Sequence, residues 1–290
     1  MFKGAFTALV TPFSGGKIDA HALRRHVDFQ IEQGIDGLVP CGTTGEASTL
    51  SHDEHIEVVR ITVEHTAGRV PVIAGSGSNS TSEALVLTQR VKEVGADACL
   101  MITPYYNKPT QEGLYQHFST VAEKVDIPIV LYNVPGRTGI NMLPETVARL
   151  AKIPSIVGLK DATADLKQAS YTLQLVPDDF IILSGEDTLV YPLMAVGGSG
   201  VICVTSNILP GEMARLCKNV LEGDFATARK IHHRLLRMCD AMFVETNPIP
   251  VKAALAMMGR MENELRLPLV RISDKGAEKV QAALKDFGLI

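Results

Sequence analysis

Short apolar runs alternate along the chain with longer stretches in which apolar side chains recur every three or four positions, at a period of about 25–30 residues. That repeat predicts stacked strand–helix units around a parallel sheet. Strands are expected at Ala5–Val10, Gly37–Pro40, Val70–Ala74, Ala98–Thr103, Pro128–Asn133, Ile156–Lys160, Phe180–Ser184 and Gly200–Val204. Each is a nearly continuous apolar run, as a strand covered on both faces requires.

The intervening segments read as helices. Leu23, Val27 and Ile31 repeat at i, i+4, with Asp19 as an N-cap and Gly34 as a stop. Ser51…Glu54 and Ser80…Glu83 have capping-box spacing. Thr110 is placed to cap the helix carrying Leu114, Phe118, Val121 and Val125. Eight strands and eight following helices fill roughly the first 220 residues, the number of units in a (β/α)8 TIM barrel. A doubly wound open sheet would use the same units. However, no G-x-G-x-x-G follows the first strand, and polar residues recur after many strands rather than at one switch point. The barrel is therefore expected over residues 1–223. A helical region over 224–290, with a turn at Asn247-Pro248-Ile249-Pro250, is expected as an appendage to it.

Composition and charge narrow the partners. With 46% hydrophobic and 21% charged residues the chain is ordinary for a globular protein. A net charge of -4 with scattered basic residues gives no reason to expect nucleic acid or an acidic membrane surface. No apolar run approaches the ~20 residues of a membrane span, and the N-terminus has neither signal-peptide nor transit-peptide character. Cys41, Cys99, Cys203, Cys217 and Cys239 form no C-x-x-C pair; Cys99 and Cys203 lie in apolar runs, as buried thiols in a reducing compartment would. A soluble, cytoplasmic protein is expected.

Candidate chemistry gathers at the carboxyl ends of the strands, where barrels carry their sites. These ends read Gly42-Thr43-Thr44-Gly45-Glu46, Gly75-Ser76-Gly77-Ser78-Asn79, Thr103-Pro104-Tyr105-Tyr106-Asn107, Tyr132-Asn133-Val134-Pro135-Gly136-Arg137, Lys160-Asp161, Gly185-Glu186-Asp187 and Thr205-Ser206-Asn207. The opposite ends carry mostly Gly, Ala, Pro and Asp in short turns. Lys160 follows Ile156-Val157-Gly158-Leu159, so its stem should start inside the barrel mouth, where desolvation favours the neutral amine that attacks carbonyls. An arbitrary strand-end lysine more often extends into solvent. The converging polar ends favour chemistry here. The Thr43-Thr44 turn offers two hydroxyls and backbone N–H groups to a carboxylate, although alone such a turn is common. Three of the six tyrosines (Tyr105, Tyr106, Tyr132) sit at these ends, as proton relays or as packing aromatics with wet tips. Arg137 offers a bidentate clamp for a second carboxylate; a surface ion pair is the ordinary alternative.

Other candidates weaken. His52 and His55 match neither H-E-x-x-H nor H-x-x-E-H and read as a polar helix start; His232-His233 reads as solvent-facing. Asn79-Ser80-Thr81 is a glycosylation sequon that a cytoplasmic protein would not use. Neither Gly75-Ser76-Gly77 nor Gly197-Gly198-Ser199-Gly200 opens a helix as nucleotide loops do, and no cofactor or metal signature emerges.

Gly42-Thr43-Thr44-Gly45-Glu46, Tyr132-Asn133-Val134-Pro135-Gly136-Arg137-Thr138-Gly139 and Gly158-Leu159-Lys160-Asp161 resemble signatures of the dihydrodipicolinate synthase and N-acetylneuraminate lyase superfamily. The likeness spans essentially the whole chain, including Thr103–Asn107 and Phe243–Lys252, and within the superfamily it is to the dihydrodipicolinate synthases. It implies that Lys160 forms an imine with pyruvate and that the derived enamine attacks L-aspartate 4-semialdehyde. Tyr132 would be the general acid/base, linked through Thr43 to Tyr106 from a neighbouring subunit. Thr43 and Thr44 would hold the pyruvate carboxylate, Gly185 and Ile202 would line the pocket, and Arg137 would take the aldehyde's carboxylate. The resemblance also implies a dimer of dimers, with Leu166 and Val196 at the weaker interface. Ser48, His52, His55, Asn79, Glu83 and Tyr105 fall on positions of a feedback site for L-lysine, with Ala47 departing from a common serine.

Three other readings compete. A sugar-acid lyase is disfavoured by Arg137, and a non-catalytic oxo-acid binder by the intact Thr43, Tyr106, Tyr132 and Lys160. A metal-dependent aldolase would need a His/carboxylate constellation that the strand ends lack.

Overall fold

The computed structural model describes residues 2–290. Eight parallel strands form the central sheet: β1 (Gly4–Ala8), then, after a small hairpin of β2 (Phe13–Ser14) and β3 (Lys17–Ile18), β4 (Gly37–Val39), β5 (Ile73–Gly75), β6 (Ala98–Ile102), β7 (Ile129–Asn133), β8 (Ile156–Asp161), β9 (Ile181–Ser184) and β10 (Gly200–Cys203). Neighbours run β4-β1-β10-β9-β8-β7-β6-β5, and a parallel bridge from Leu38 to Val72 joins the two ends, giving a TIM barrel.

The barrel strands alternate with α1 (Ala20–Glu32), α2 (His52–Thr66), α3 (Thr81–Glu93), α4 (Gln111–Lys124), the short α5 (Pro135–Thr138), α6 (Pro144–Leu150), α7 (Leu166–Leu175), α8 (Val190–Ala195) and α9 (Pro210–Leu221). Three further helices follow: α10 (Phe225–Ala241), α11 (Ile249–Met257) and α12 (Asp274–Asp286). Among the described residues no helix is long and apolar enough to cross a membrane.

Strand alternation builds two cores. Inward residues such as Phe6, Val39, Ile73, Leu100, Val130, Tyr132, Leu183 and Ile202 fill the barrel, while Leu38, Met101, Leu131, Leu159 and Ile182 pack outward with the helices. The Asp-bearing turns at the amino-terminal end brace the sheet: Asp36 accepts from the backbone N–H of Ala5 at 2.7 Å, and Asp97 from that of Val72 at 2.8 Å.

Asp19, Ser51 and Thr110 cap α1, α2 and α4 as their spacing predicts. The third strand begins later than expected, at Ile73, because Pro71 has no N–H and contributes only its carbonyl, to the N–H of Leu38. The β2–β3 hairpin was not expected; its Gly15-Gly16 turn is a hairpin signal, but two-residue strands leave no alternation to read. Ser80 caps α3, yet Glu83 does not close the capping box: its carboxylate goes to Ser78 and His52. His232 is also not simply solvent-facing. The helix α10 packs on α8, and His232 stacks on Tyr191 with centroids 5.5 Å apart, while His233 is exposed.

Candidate active site

Lys160 stands in register with Tyr132 of β7 and Leu183 of β9, both inward residues, so it too enters the barrel. It is only 7% exposed, and its Nζ lies 4.3 Å from the centroid of the Tyr132 ring. It pairs with no carboxylate among the described residues, whereas Lys252, the other buried lysine, holds Glu46 Oε1 at 2.6 Å. Two glycines relieve crowding around this strand, one for Ile181 and one for Lys160 itself. At Gly158, two residues earlier on the same face, a Cβ would overlap Ile181. At Gly185 a Cβ would stand 3.0 Å from Lys160 Cε and 2.8 Å from Ala162 Cβ.

Lys160 opens into a cavity of about 520 Å³ whose walls include Thr43, Thr44, Tyr132, Arg137, Gly185 and Ile202. Thr44 Oγ1 accepts from Asn247 Nδ2 at 3.0 Å, and Arg137 Nη2 donates to the carbonyl of Asn247 at 3.3 Å. Arg137 itself sits on α5, whose entry is fixed by Asn133: this side chain bonds both the N–H and the carbonyl of Met142. The cavity thus places a buried amine beneath a phenol ring, two hydroxyls on one side and a guanidinium at the mouth.

Tyr106 is elsewhere. It is 90% exposed with φ 71°, a left-handed backbone that non-glycine residues rarely adopt, and it does not line this cavity.

A second cavity, about 370 Å³, is lined by Ser48, His52, His55, Glu83 and Tyr105 and shares Gly42, Thr43, Leu100, Tyr132 and Arg137 with the first. Asn79 does not line it; the Asn79 carbonyl accepts from Asn107 Nδ2 at 2.9 Å. His52 Nε2 meets Glu83 Oε1 at 2.9 Å, and bonding from Ser78 holds the Glu83 carboxyl below its usual range. His55 is buried rather than part of a polar helix start. It bonds the Gly75 carbonyl at 2.7 Å, and burial pushes its imidazolium down. Burial, reinforced by Glu83, pushes the Tyr105 phenol up.

Residues 1–287 match the model of the Dihydrodipicolinate synthetase family. The chain belongs to that family. A 4-hydroxy-tetrahydrodipicolinate synthase from Pelobacter propionicus is 56% identical over 290 residues, covering 100% of both chains. Among solved structures, a chloride-inhibited dihydrodipicolinate synthase from Acinetobacter baumannii complexed with pyruvate is 44% identical, with a TM-score of 0.98 over 100% of both chains. A dihydrodipicolinate synthase from Cyanidioschyzon merolae with lysine bound is 40% identical, with a TM-score of 0.97 over 100% of this chain and 99% of that one.

This member of the dihydrodipicolinate synthetase family is a lyase-type Schiff-base enzyme. Sequence reasoning missed part of its cavity wall. Phe243, Glu245, Thr246 and Asn247, all from beyond α10, line it beside Glu186 of the strand end Gly185-Glu186-Asp187. The Asn-Pro-Ile-Pro turn and the family likeness over Phe243–Lys252 are the available signals, but neither places this segment at the cavity.

Proposed function

We propose that the chain is a 4-hydroxy-tetrahydrodipicolinate synthase that joins pyruvate to L-aspartate 4-semialdehyde, in the diaminopimelate route to lysine, in the cytoplasm. The observation that carries this reading is the uncompensated Lys160 amine, buried beside Tyr132 in a cavity that also presents Thr43, Thr44 and Arg137. The amine attacks the keto carbon of pyruvate and water leaves, giving an imine. The imine accepts electrons as a methyl proton departs, and the resulting enamine carbon attacks the aldehyde. The amino group of the adduct then adds to the imine carbon, closing the ring and expelling Lys160 as free amine.

Tyr132 serves as general acid/base for these proton transfers. Thr43 and Thr44 bind the pyruvate carboxylate, Gly185 and Ile202 shape the pocket around it, and Arg137 receives the carboxylate of the second substrate. The exposed Tyr106 side chain is suited to a partner subunit's site, where it would complete the relay through Thr43 in a dimer of dimers. The second cavity is assigned to L-lysine as inhibitor: Glu83 suits its ammonium groups, and Ser48, His52, His55, Asn79 and Tyr105 surround or border the same place.

One assay tests both assignments. Turnover of pyruvate should be rapid with aspartate semialdehyde and negligible with sugar-acid aldehydes, and millimolar-range L-lysine should reduce it. Preference for a sugar-acid aldehyde would favour a lyase instead, and indifference to lysine would remove the second-cavity assignment.

A further inference from the structure

Glu46 ends the turn that carries Thr43 and Thr44, and it does not itself line the cavity. It is 3% exposed and has a left-handed backbone, φ 55°. Its Oε1 accepts from Lys252 Nζ at 2.6 Å and its Oε2 from the backbone N–H of Arg266 at 3.0 Å. Lys252 also donates to the Thr11 carbonyl at 2.9 Å, and the Thr11 hydroxyl donates to the Gly45 carbonyl at 2.7 Å. The Arg266 guanidinium donates to the Thr49 carbonyl and to both oxygens of Glu54, at 3.0, 2.6 and 2.7 Å. Both cations lie over the ring of Phe13, at 4.3 and 4.5 Å. The turn is thus gripped by residues more than 200 positions away.

A buried ion pair loses so much hydration that it adds little to stability over a well-packed apolar pair, so its placement behind this turn asks for a geometric reason. We propose that Glu46 is a positioning residue: gripped by Lys252 and Arg266, it fixes Thr43 and Thr44 at the spacing that receives the substrate's carboxylate. The inference rests on the function proposed above.

The full-length wild type, Glu46→Gln and the double variant Glu46→Gln with Lys252→Met separate positioning from mere stability. The single variant strands a buried ammonium and should melt earlier under either role. The double variant removes both charges and should recover the melting temperature. Positioning predicts that its KM for pyruvate nevertheless stays about tenfold high, while KM for the aldehyde changes little and borohydride at saturating pyruvate still labels Lys160. Recovery of both melting temperature and pyruvate KM would overturn the proposal. Should the double variant remain unstable, Glu46→Asp keeps the charge with a shorter reach. A raised pyruvate KM in a chain that melts like wild type supports positioning, and an unchanged KM overturns it. Wild type that pyruvate and borohydride fail to label would overturn the proposed function as well. Labelled wild type with unchanged KM in the variants overturns this inference alone.

Discussion

Lys252 and Lys160 are both buried, yet their surroundings differ in kind. Lys252 has a carboxylate, a carbonyl and an aromatic face within reach. Lys160 has the Tyr132 ring and open cavity, beside a glycine at 185 whose added Cβ would crowd it. Its location was legible because it directly follows a four-residue apolar run and shares the carboxyl end of the barrel with several polar strand ends, which outweigh the usual exit of such a lysine into solvent. The need for glycine at 185 was not, since it arises from the packing of β8 against β9. Gly185→Ala should press a methyl against Lys160 Cε and Ala162 and shift the amine. The expected result is a fall of roughly 10²-fold in kcat/KM for pyruvate, the scale on which an ångström of misplacement acts. The overpacking cost, about 1–3 kcal/mol, should leave the chain folded. Steady-state kinetics beside a thermal melt check both, and unchanged kcat/KM would mean that the contact relaxes harmlessly.

Two buried histidines join elements while neutral. His26 of α1 meets Asn207 Oδ1 at 2.9 Å, and His117 of α4 meets Thr81 Oγ1 of α3 at 2.9 Å. Burial pushes both from 6.5 down to about 4, with the nearby Arg260 adding to the effect on His26. A group depressed on folding stabilises the fold above its unfolded value and loses that contribution as pH falls toward its folded value. Stability should therefore drop between pH 6.5 and about 4, by on the order of 3 kcal/mol for each histidine, and this component should level off below. Urea midpoints across that range, for wild type and His117→Gln, give the difference due to His117. Parallel curves would contradict the assignment. At this scale the strands and capped helices were readable from periodicity, because each barrel strand is covered on both faces. Ser80…Glu83 has capping-box spacing, yet the fold brings Ser78 and His52 within reach of Glu83 and they take its carboxylate.

At the scale of the molecule, eight strand–helix units predicted closure, and the Leu38–Val72 bridge completes it. What spacing could not reveal is contact between distant segments. Asn247 reaches Thr44 across 203 positions, and Lys252 reaches Glu46 across 206. The helical region after residue 223 therefore helps to build the site as well as covering the barrel. Tyr106 shows the opposite case, a residue at a predicted strand end that its own chain leaves in solvent. All of this converges on one atom, Lys160 Nζ. Reducing the protein with borohydride in the presence of pyruvate and mapping the modified peptide addresses it directly. One reduced pyruvate adduct per chain is expected, on Lys160, and none in Lys160→Ala; no adduct, or an adduct on any other lysine, would rule out Lys160 as the imine-forming residue.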